Sequence, residues 1–321
     1  MGEAVFPPAQ RVGVGEVELS VHAAGPADGP VVVLLHGWPE LAYSWKHQIG
    51  PIAEAGFRVL APDGRGFGGS DAPDSVAAYG IDHLVSDVEG LLDWAGAEKA
   101  VVVGHDWGGI VAWHFAMLRP ERTRGVVGVN TPHLPHGARK TTESMRDYGG
   151  EDHYIVQVQE PGRAEAAFSR NFEDFFAFMF AGPPPAEDLD KLPRSITHLL
   201  KRFARYDRSK ARDIVVPEED RQVFIDAYAK TGLTGGLNWY RNMDANWARM
   251  DGVDHNIDKP ALMISAQCDP ILPPRLTRWM DDLTRDLERH VIPDIGHWTQ
   301  WEAPDQLNAL LIDWLERRMK D

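Results

Sequence analysis

Apolar residues recur along this chain in two rhythms. Residues 11–23 alternate, with Val12, Val14, Val17, Leu19 and Val21 on one side and Gly15 midway, which predicts an antiparallel hairpin. Residues 31–35, 57–61, 100–103, 124–129 and 261–266 are short, mostly apolar runs of the kind that form buried strands, and 289–292 reads as a further strand. Helical stretches lie between them at 44–55, 81–95, 276–283 and 304–317; the second puts Leu84, Val88, Leu91 and Leu92 on one face. Strands alternating with helices predict an α/β fold, a mostly parallel sheet covered by helices on both faces.

The alternation stops at Asn130. From Thr131 to about Trp247 few runs resemble strands, and helices are expected near 153–158, 163–180, 195–205, 218–230 and 236–247. Gly182-Pro183-Pro184-Pro185 interrupts them as a loop. A helical insertion late in a parallel sheet, beside the strand C-termini, reads as a lid over a binding site. The expected organisation is a core of residues 1–131 and 248–321 with a helical lid, 132–247, inserted in it.

Composition narrows the partners. The 321 residues are 43% hydrophobic and 25% charged, as in ordinary globular chains, and the net charge is −15. That charge argues against nucleic acid or an anionic membrane as a partner. The densest basic run, from Lys201 to Arg212, contains Asp207, is followed by Asp213 and reads as a solvated helix face. One cysteine, Cys268, excludes an internal disulfide and fits a reducing compartment. No apolar run approaches the roughly 20 residues that span a bilayer. Met1-Gly2-Glu3-Ala4-Val5-Phe6 lacks the features of a secretory leader, and Phe6 departs from the myristoylation pattern. A cytoplasmic monomer or homodimer is expected.

The chemistry centres on Gly104-His105-Asp106-Trp107-Gly108-Gly109, between the run 100–103 and a helical stretch. Small residues two before and two after Asp106 fit a strand–turn–helix elbow that lifts one side chain above a sheet in a strained conformation. In an esterase that side chain is Ser. A carboxylate attacks without first losing a proton, and it suits displacement at an alkyl carbon. The product is an ester whose carbonyl belongs to the enzyme, so water can release it. An Asp elbow therefore points to an electrophilic sp3 carbon, an epoxide or an alkyl halide. A helix cap is the plainer role for Asp106.

Hydrolysis of that ester needs a base and a group that orients it. Asp269 follows the run 261–266 and His297 follows the run 289–292, giving the chain order nucleophile, acid, histidine. Two N–H donors are needed for the oxyanion. Trp107, after the nucleophile, is one candidate, and Trp38, in His36-Gly37-Trp38-Pro39-Glu40, is the other. Pro39 is a candidate for a cis bond. Glu40 and His105 adjoin these groups and are candidates to tie an internal water near the site, or for a plain structural role. Gly64-Arg65-Gly66-Phe67-Gly68-Gly69 matches a dinucleotide fingerprint in form, but Ser70-Asp71-Ala72-Pro73-Asp74 follows where a helix would have to open.

These segments, with Asn130-Thr131-Pro132, Gln159-Glu160-Pro161-Gly162, Leu237-Asn238-Trp239-Tyr240-Arg241-Asn242 and Gly296-His297-Trp298-Thr299-Gln300, resemble the soluble epoxide hydrolases of the α/β-hydrolase family over about residues 10 to 320. The resemblance implies conversion of an epoxide and water to a vicinal diol without metal or organic cofactor. It also implies that two lid tyrosines, Tyr154 and Tyr240, hold and protonate the epoxide oxygen. A phenol is a suitable neutral donor to an alkoxide. Haloalkane and haloacid dehalogenases share the Asp nucleophile. The former typically have Asn where Trp38 stands, and haloacetate enzymes have Arg where Trp107 stands; both departures favour epoxides. A catalytically silent member used as a binding module is the remaining alternative. Trp38, Trp107, Trp239, Trp298 and Trp301 lie in or beside the motifs, and residues 172–180 are rich in Phe, so the expected substrate is a small lipophilic or aryl epoxide.

Overall fold

The computed structural model describes residues 6–210 and 213–319, so the N-terminal pentapeptide and Arg212 of the basic run lie outside the described residues. The apolar runs form β3 (Val31–Leu35), β4 (Arg58–Pro62), β5 (Ala100–His105), β6 (Thr123–Val129), β7 (Ala261–Ala266) and β8 (Leu287–Ile292). The alternating segment forms β1 (Ala9–Gly13) and β2 (Glu18–Ala24), paired antiparallel. The strands make one sheet in the order β1-β2-β4-β3-β5-β6-β7-β8, parallel from β4 to β8. Beside them lie α1 (Lys46–Glu54), α2 (Ile81–Ala95) and α3 (Trp107–Leu118).

Successive residues of β3 and β5 contribute to two separate apolar cores, as strands buried on both faces must. One core holds Val33, Val102, Val111 and Leu91; the other holds Val32, Val101, Ile264 and Leu311. The turn after β4 opens no helix until a 3-10 turn at Val76–Tyr79, so the glycine-rich segment is a loop and not a dinucleotide elbow.

Between β6 and β7 the chain forms α4 (Thr141–Gly149), α5 (Tyr154–Gln157), α6 (Arg163–Phe168), α7 (Phe172–Met179), α8 (Leu199–Phe203), α9 (Glu218–Thr231), α10 (Thr234–Arg241) and α11 (Met243–Arg249). After β7 come α12 (Met280–Leu283), α13 (Thr299–Glu302) and α14 (Pro304–Met319). Three expected helices are each split, 195–205 into a 3-10 turn at Arg194–Thr197 and α8. The stretch 163–180 breaks before Asn171, whose Oδ1 caps α7 by accepting from Asp174 N at 3.1 Å. The stretch 236–247 breaks at Asn242, whose Nδ2 donates to the carbonyls of Val76 and Asn238. The stretch 276–283 begins as a 3-10 turn, Pro274–Trp279. Helix α4 was not expected: its sequence is polar, with Thr142 its buried residue, and Asp244 of α11 accepts from both Thr142 N (2.9 Å) and Thr142 Oγ1 (2.6 Å). Among the described residues no helix is long and apolar enough to cross a membrane.

Candidate active site

The sheet delivers its C-terminal ends to one cavity. Asp106 sits between β5 and α3 with φ 51° and ψ −118°, left-handed backbone that side chains rarely adopt. The glycines around it allow the sharp turn. A Cβ on Gly104 would strike the backbone of Gly108, one on Gly108 would strike the β3 carbonyl of Leu35, and one on Gly37 would strike the Asp106 side chain. Thr131 Oγ1, just after β6, donates to the Asp106 carbonyl at 2.9 Å and supports the bend.

The loop after β3 approaches from the other side. The Trp38–Pro39 peptide is cis. Trp38 N–H donates to Asp106 Oδ1 at 2.9 Å, and Trp107 opens α3 directly after the carboxylate. His297 lies between β8 and α13, with Nε2 3.8 Å from Asp106 Oδ2. That separation is beyond a hydrogen bond, so Oδ2 stays available. His297 Nδ1 donates to Asp269 Oδ2 at 2.8 Å. Asp269 is fully buried after β7; its Oδ1 accepts from the N–H groups of Ile271 and Leu272 at 2.8 and 2.9 Å, and Asn130 Nδ2 donates to Oδ2 at 2.8 Å.

The charges fix one another. Burial would raise Asp269, but the His297 ring and the N–H donors outweigh it and hold the carboxylate at about 2. Burial would lower His297, but Asp269 first, then Asp106 and Glu40, push it up to about 9. Glu40, with no exposed surface, is likewise held at about 2 against burial by the rings of His105 and His36. Its Oε2 accepts from Gly37 N and His105 Nδ1, both at 2.7 Å, and His105 Nε2 donates to the His297 carbonyl at 2.7 Å. Glu40 and His105 thus join the loops that carry Trp38 and His297.

Tyr154 of α5 and Tyr240 of α10 line the same cavity as Trp38, Asp106 and His297, their rings 5.7 Å apart. Burial, and then the nearby Asp106 charge, raises both phenols, so they remain protonated hydrogen-bond donors. All nine residues predicted for the site therefore meet around one cavity of about 600 Å³ or directly behind it.

Three features of the site differ from the sequence reading. Of the five tryptophans expected near the substrate, Trp38 and Trp298 line the cavity. Trp107 and Trp239 pack edge-to-face behind it, and Trp301 packs against His47. The basic run is solvated as expected, but it is not one helix face: α8 ends at Phe203, and the exposed Arg202, Arg205 and Lys210 stand at the mouth of the cavity. Glu302 was missed. Its carboxylate accepts from Gly296 N at 2.7 Å and Trp298 N at 2.9 Å, on either side of His297. Its signal was an acidic residue one turn beyond a loop histidine, too common a pattern to single out.

The pattern that defines the family described as the alpha/beta hydrolase fold matches residues 30–304. The chain is 38% identical to epoxide hydrolase A of Mycobacterium tuberculosis, over 96% of this chain and 97% of that protein. It is also 38% identical to bifunctional epoxide hydrolase 2 of Sus scrofa, over 92% of this chain but 53% of that protein, so it spans about half that relative's length. Among solved structures, the crystal structure of epoxide hydrolase A from Mycobacterium thermoresistibile superposes with a TM-score of 0.86 at 38% identity, covering 97% of this chain and 98% of that one. Epoxide hydrolase VrEH1 from Vigna radiata gives 0.84 at 30% identity, over 99% and 100%.

Proposed function

The chain belongs to the α/β hydrolase fold family, and from that membership we propose that it is an epoxide hydrolase working through a covalent ester on Asp106. The observation that carries this reading is the pair of protonated phenols, Tyr154 and Tyr240, in the cavity that holds Asp106. A departing halide needs no proton, whereas a ring-opening alkoxide does, so the pair favours an epoxide over an alkyl halide.

Asp106 Oδ2 attacks one ring carbon while the Trp38 N–H holds Oδ1. The C–O bond breaks away from the carboxylate, and the alkoxide takes a proton from the tyrosine pair. His297 then removes a proton from water, whose oxygen adds to the Asp106 ester carbonyl. The N–H groups of Trp38 and Trp107 stabilise the oxyanion. Collapse expels the second diol oxygen, which takes the proton from His297. The Asp106 acid, now carrying the water oxygen, gives its remaining proton back to the tyrosinate, so the carboxylate, the phenol and the neutral ring are all restored as the diol leaves. Alkylation also removes the Asp106 charge, one of the influences that raise His297. More of the ring is therefore in the neutral form that can accept a proton once the ester exists than before it. Glu40, His105 and Glu302 hold the two loops in register; an internal water beside Glu40 and His105 belongs to the same proposal.

Residues 132–247 act as the lid over a core of 1–131 and 248–321. The support is that the lid helices α5 and α10 contribute both tyrosines. The apolar wall suits a lipophilic or aryl epoxide. Incubating His297→Gln with styrene oxide should leave a protein heavier by one substrate mass; normal turnover by that variant would contradict the assignment of the base.

A further inference from the structure

We infer that Trp239 and Arg65 are positioning residues for ring opening: the hydrogen bond between them holds α10 on the glycine-rich loop 63–70 and so sets where the Tyr240 hydroxyl meets the epoxide oxygen. The inference rests on the epoxide hydrolase reading and gives the loop a part in it.

The loop is clamped from below. The Arg65 guanidinium, 2% exposed, forms a forked pair with Asp87 of α2: Nε donates to Oδ2 at 2.7 Å and Nη2 to Oδ1 at 2.6 Å. Its Nη1 donates to the Ala78 carbonyl at 2.6 Å. A planar fork bound on both edges leaves its residue little freedom. Asp63 closes the loop, its Oδ2 accepting from Gly69 N at 3.0 Å. The Arg65 carbonyl is turned to the lid, where it accepts from Trp239 Nε1 at 3.1 Å in a buried bond. Trp239 is the residue before Tyr240 in α10.

Here the two backbones touch. A Cβ on Gly235 would lie 2.3 Å from the Gly66 carbonyl oxygen, and one on Gly64 would lie 2.8 Å from the Trp239 ring. No side chain fits between α10 and the loop, so backbone contact fixes their separation. The same loop is tied to the strand end that carries Trp38. Gly64 N donates to His36 Nε2 at 2.9 Å, and His36 Nδ1 donates to the Gly37 carbonyl at 2.8 Å. Trp38 N–H in turn holds Asp106. Attack from behind needs the carboxylate, the ring carbon and the departing oxygen in line, so a proton donor must stand at a set distance from Asp106. The loop links Tyr240 and Asp106 to one rigid frame.

Single turnovers of styrene oxide separate alkylation of Asp106 from hydrolysis of the ester. Trp239→Phe keeps a ring but removes the indole N–H, and Gly235→Ala must lift α10 by on the order of 1 Å; alkylation should slow about tenfold in the first and roughly a hundredfold in the second. Neither loss should exceed that of Tyr240→Phe. Ester hydrolysis, which uses His297 and the N–H groups of Trp38 and Trp107, should change little. In a Tyr240→Phe background both substitutions should lose their effect on alkylation, because no hydroxyl is left to misplace. A defect of the fold alone would slow both steps and would persist in that background. Normal hydrolysis with alkylation unchanged, or slowed equally with and without the Tyr240 hydroxyl, overturns this inference alone. Binding gives the same answer without turnover. The carbonyl of phenylacetamide is a neutral acceptor for the phenols. Its Kd, read by tryptophan fluorescence, should rise in Gly235→Ala, but Gly235→Ala should add nothing to Tyr240→Phe. That pattern in a protein that consumes no epoxide supports the positioning contact and overturns the hydrolase reading. A Kd that Gly235→Ala leaves unchanged overturns the inference.

Discussion

At the scale of the residue, the site depends on which protons are held and which can move. His297 begins the cycle with its pKa near 9, which suits ring opening, because an imidazolium near Asp106 does not compete for the substrate carbon. Ester hydrolysis needs the neutral ring. In rapid-quench experiments the hydrolysis step should accelerate with rising pH while alkylation does not; a pH-independent hydrolysis rate would contradict the base. Replacing Tyr154 or Tyr240 by Phe should slow alkylation by roughly a hundredfold, the scale of one general acid, and the double variant should be slower still. Glu302→Gln places an amide N–H₂ against one of the two N–H groups flanking His297. It should slow ester hydrolysis at least about tenfold while sparing alkylation, the loss expected when a hydrogen bond to a charged group is broken. Equal slowing of both steps would mean that Glu302 serves only the fold. Asp106, Asp269, His297 and the Trp38 loop were legible because each follows a recognisable strand end, whereas Tyr154 and Tyr240, on helices, were reached only through the resemblance of their segments. The hydrogen bonds that hold them, from Asn130 to Asp269 and from Glu302 to the His297 loop, cross long stretches of chain and leave no periodic trace.

At the scale of the element, hydrophobic rhythm was enough for the central strands β3 to β7, because strands buried on both faces must be continuously apolar, whereas the edge strand β8, Leu-Glu-Arg-His-Val-Ile, is partly exposed and carries a weaker signal. The rhythm failed where polar contacts decide. Helix α4 exists because Asp244 reaches it, and the breaks at Asn171 and Asn242 come from side chains that bind backbone. The same kind of contact joins α9 to the core. Asp220 Oδ1 accepts from Tyr43 Oη at 2.7 Å and from Lys46 Nζ at 2.8 Å, with Asp220 buried and Lys46 partly exposed. Asp220→Ala removes both bonds. A loss of about 1.5–3 kcal/mol is expected, since each bond involves a charged group and the lysine regains water. The melting temperature should drop by several degrees, and proteolysis of the lid should quicken. An unchanged melting curve would show that this contact does not hold the lid.

At the scale of the whole molecule, buried titrations set the pH range of stability. Burial lowers His114 and His133 to about 4, whereas an unfolded histidine titrates near ~6.5. Below ~6.5 the unfolded chain binds protons that the native one refuses, so stability falls as pH falls from ~6.5 to about 4. Glu40 and Asp269, held at about 2, extend the loss: the unfolded carboxylates take up protons near ~4, and the native ones only near 2. His297 acts in the opposite direction. Its native pKa near 9 contributes stability that is complete below ~6.5 and is lost as pH rises through 9. The melting temperature should therefore peak near neutrality and decline on both sides; a flat profile between pH ~6.5 and about 4 would contradict the buried neutral histidines. Fold class, chain order and the sign of the net charge were readable from sequence. The meeting of the basic run with the cavity was not, because it depends on how the segment after α8 folds back over the site.

In the proposed cycle the substrate is joined to Asp106 and released by hydrolysis at the Asp106 ester carbonyl, which breaks the bond from that carbon to the substrate oxygen. A single turnover in water enriched in heavy oxygen, with enzyme in excess, tests it most directly. Label is expected in the Asp106 carboxylate, found by mass spectrometry of the peptide containing it, with an unlabelled first-round diol. Label in the first-round diol with none on the protein would mean that water attacks the epoxide directly, and would contradict the account.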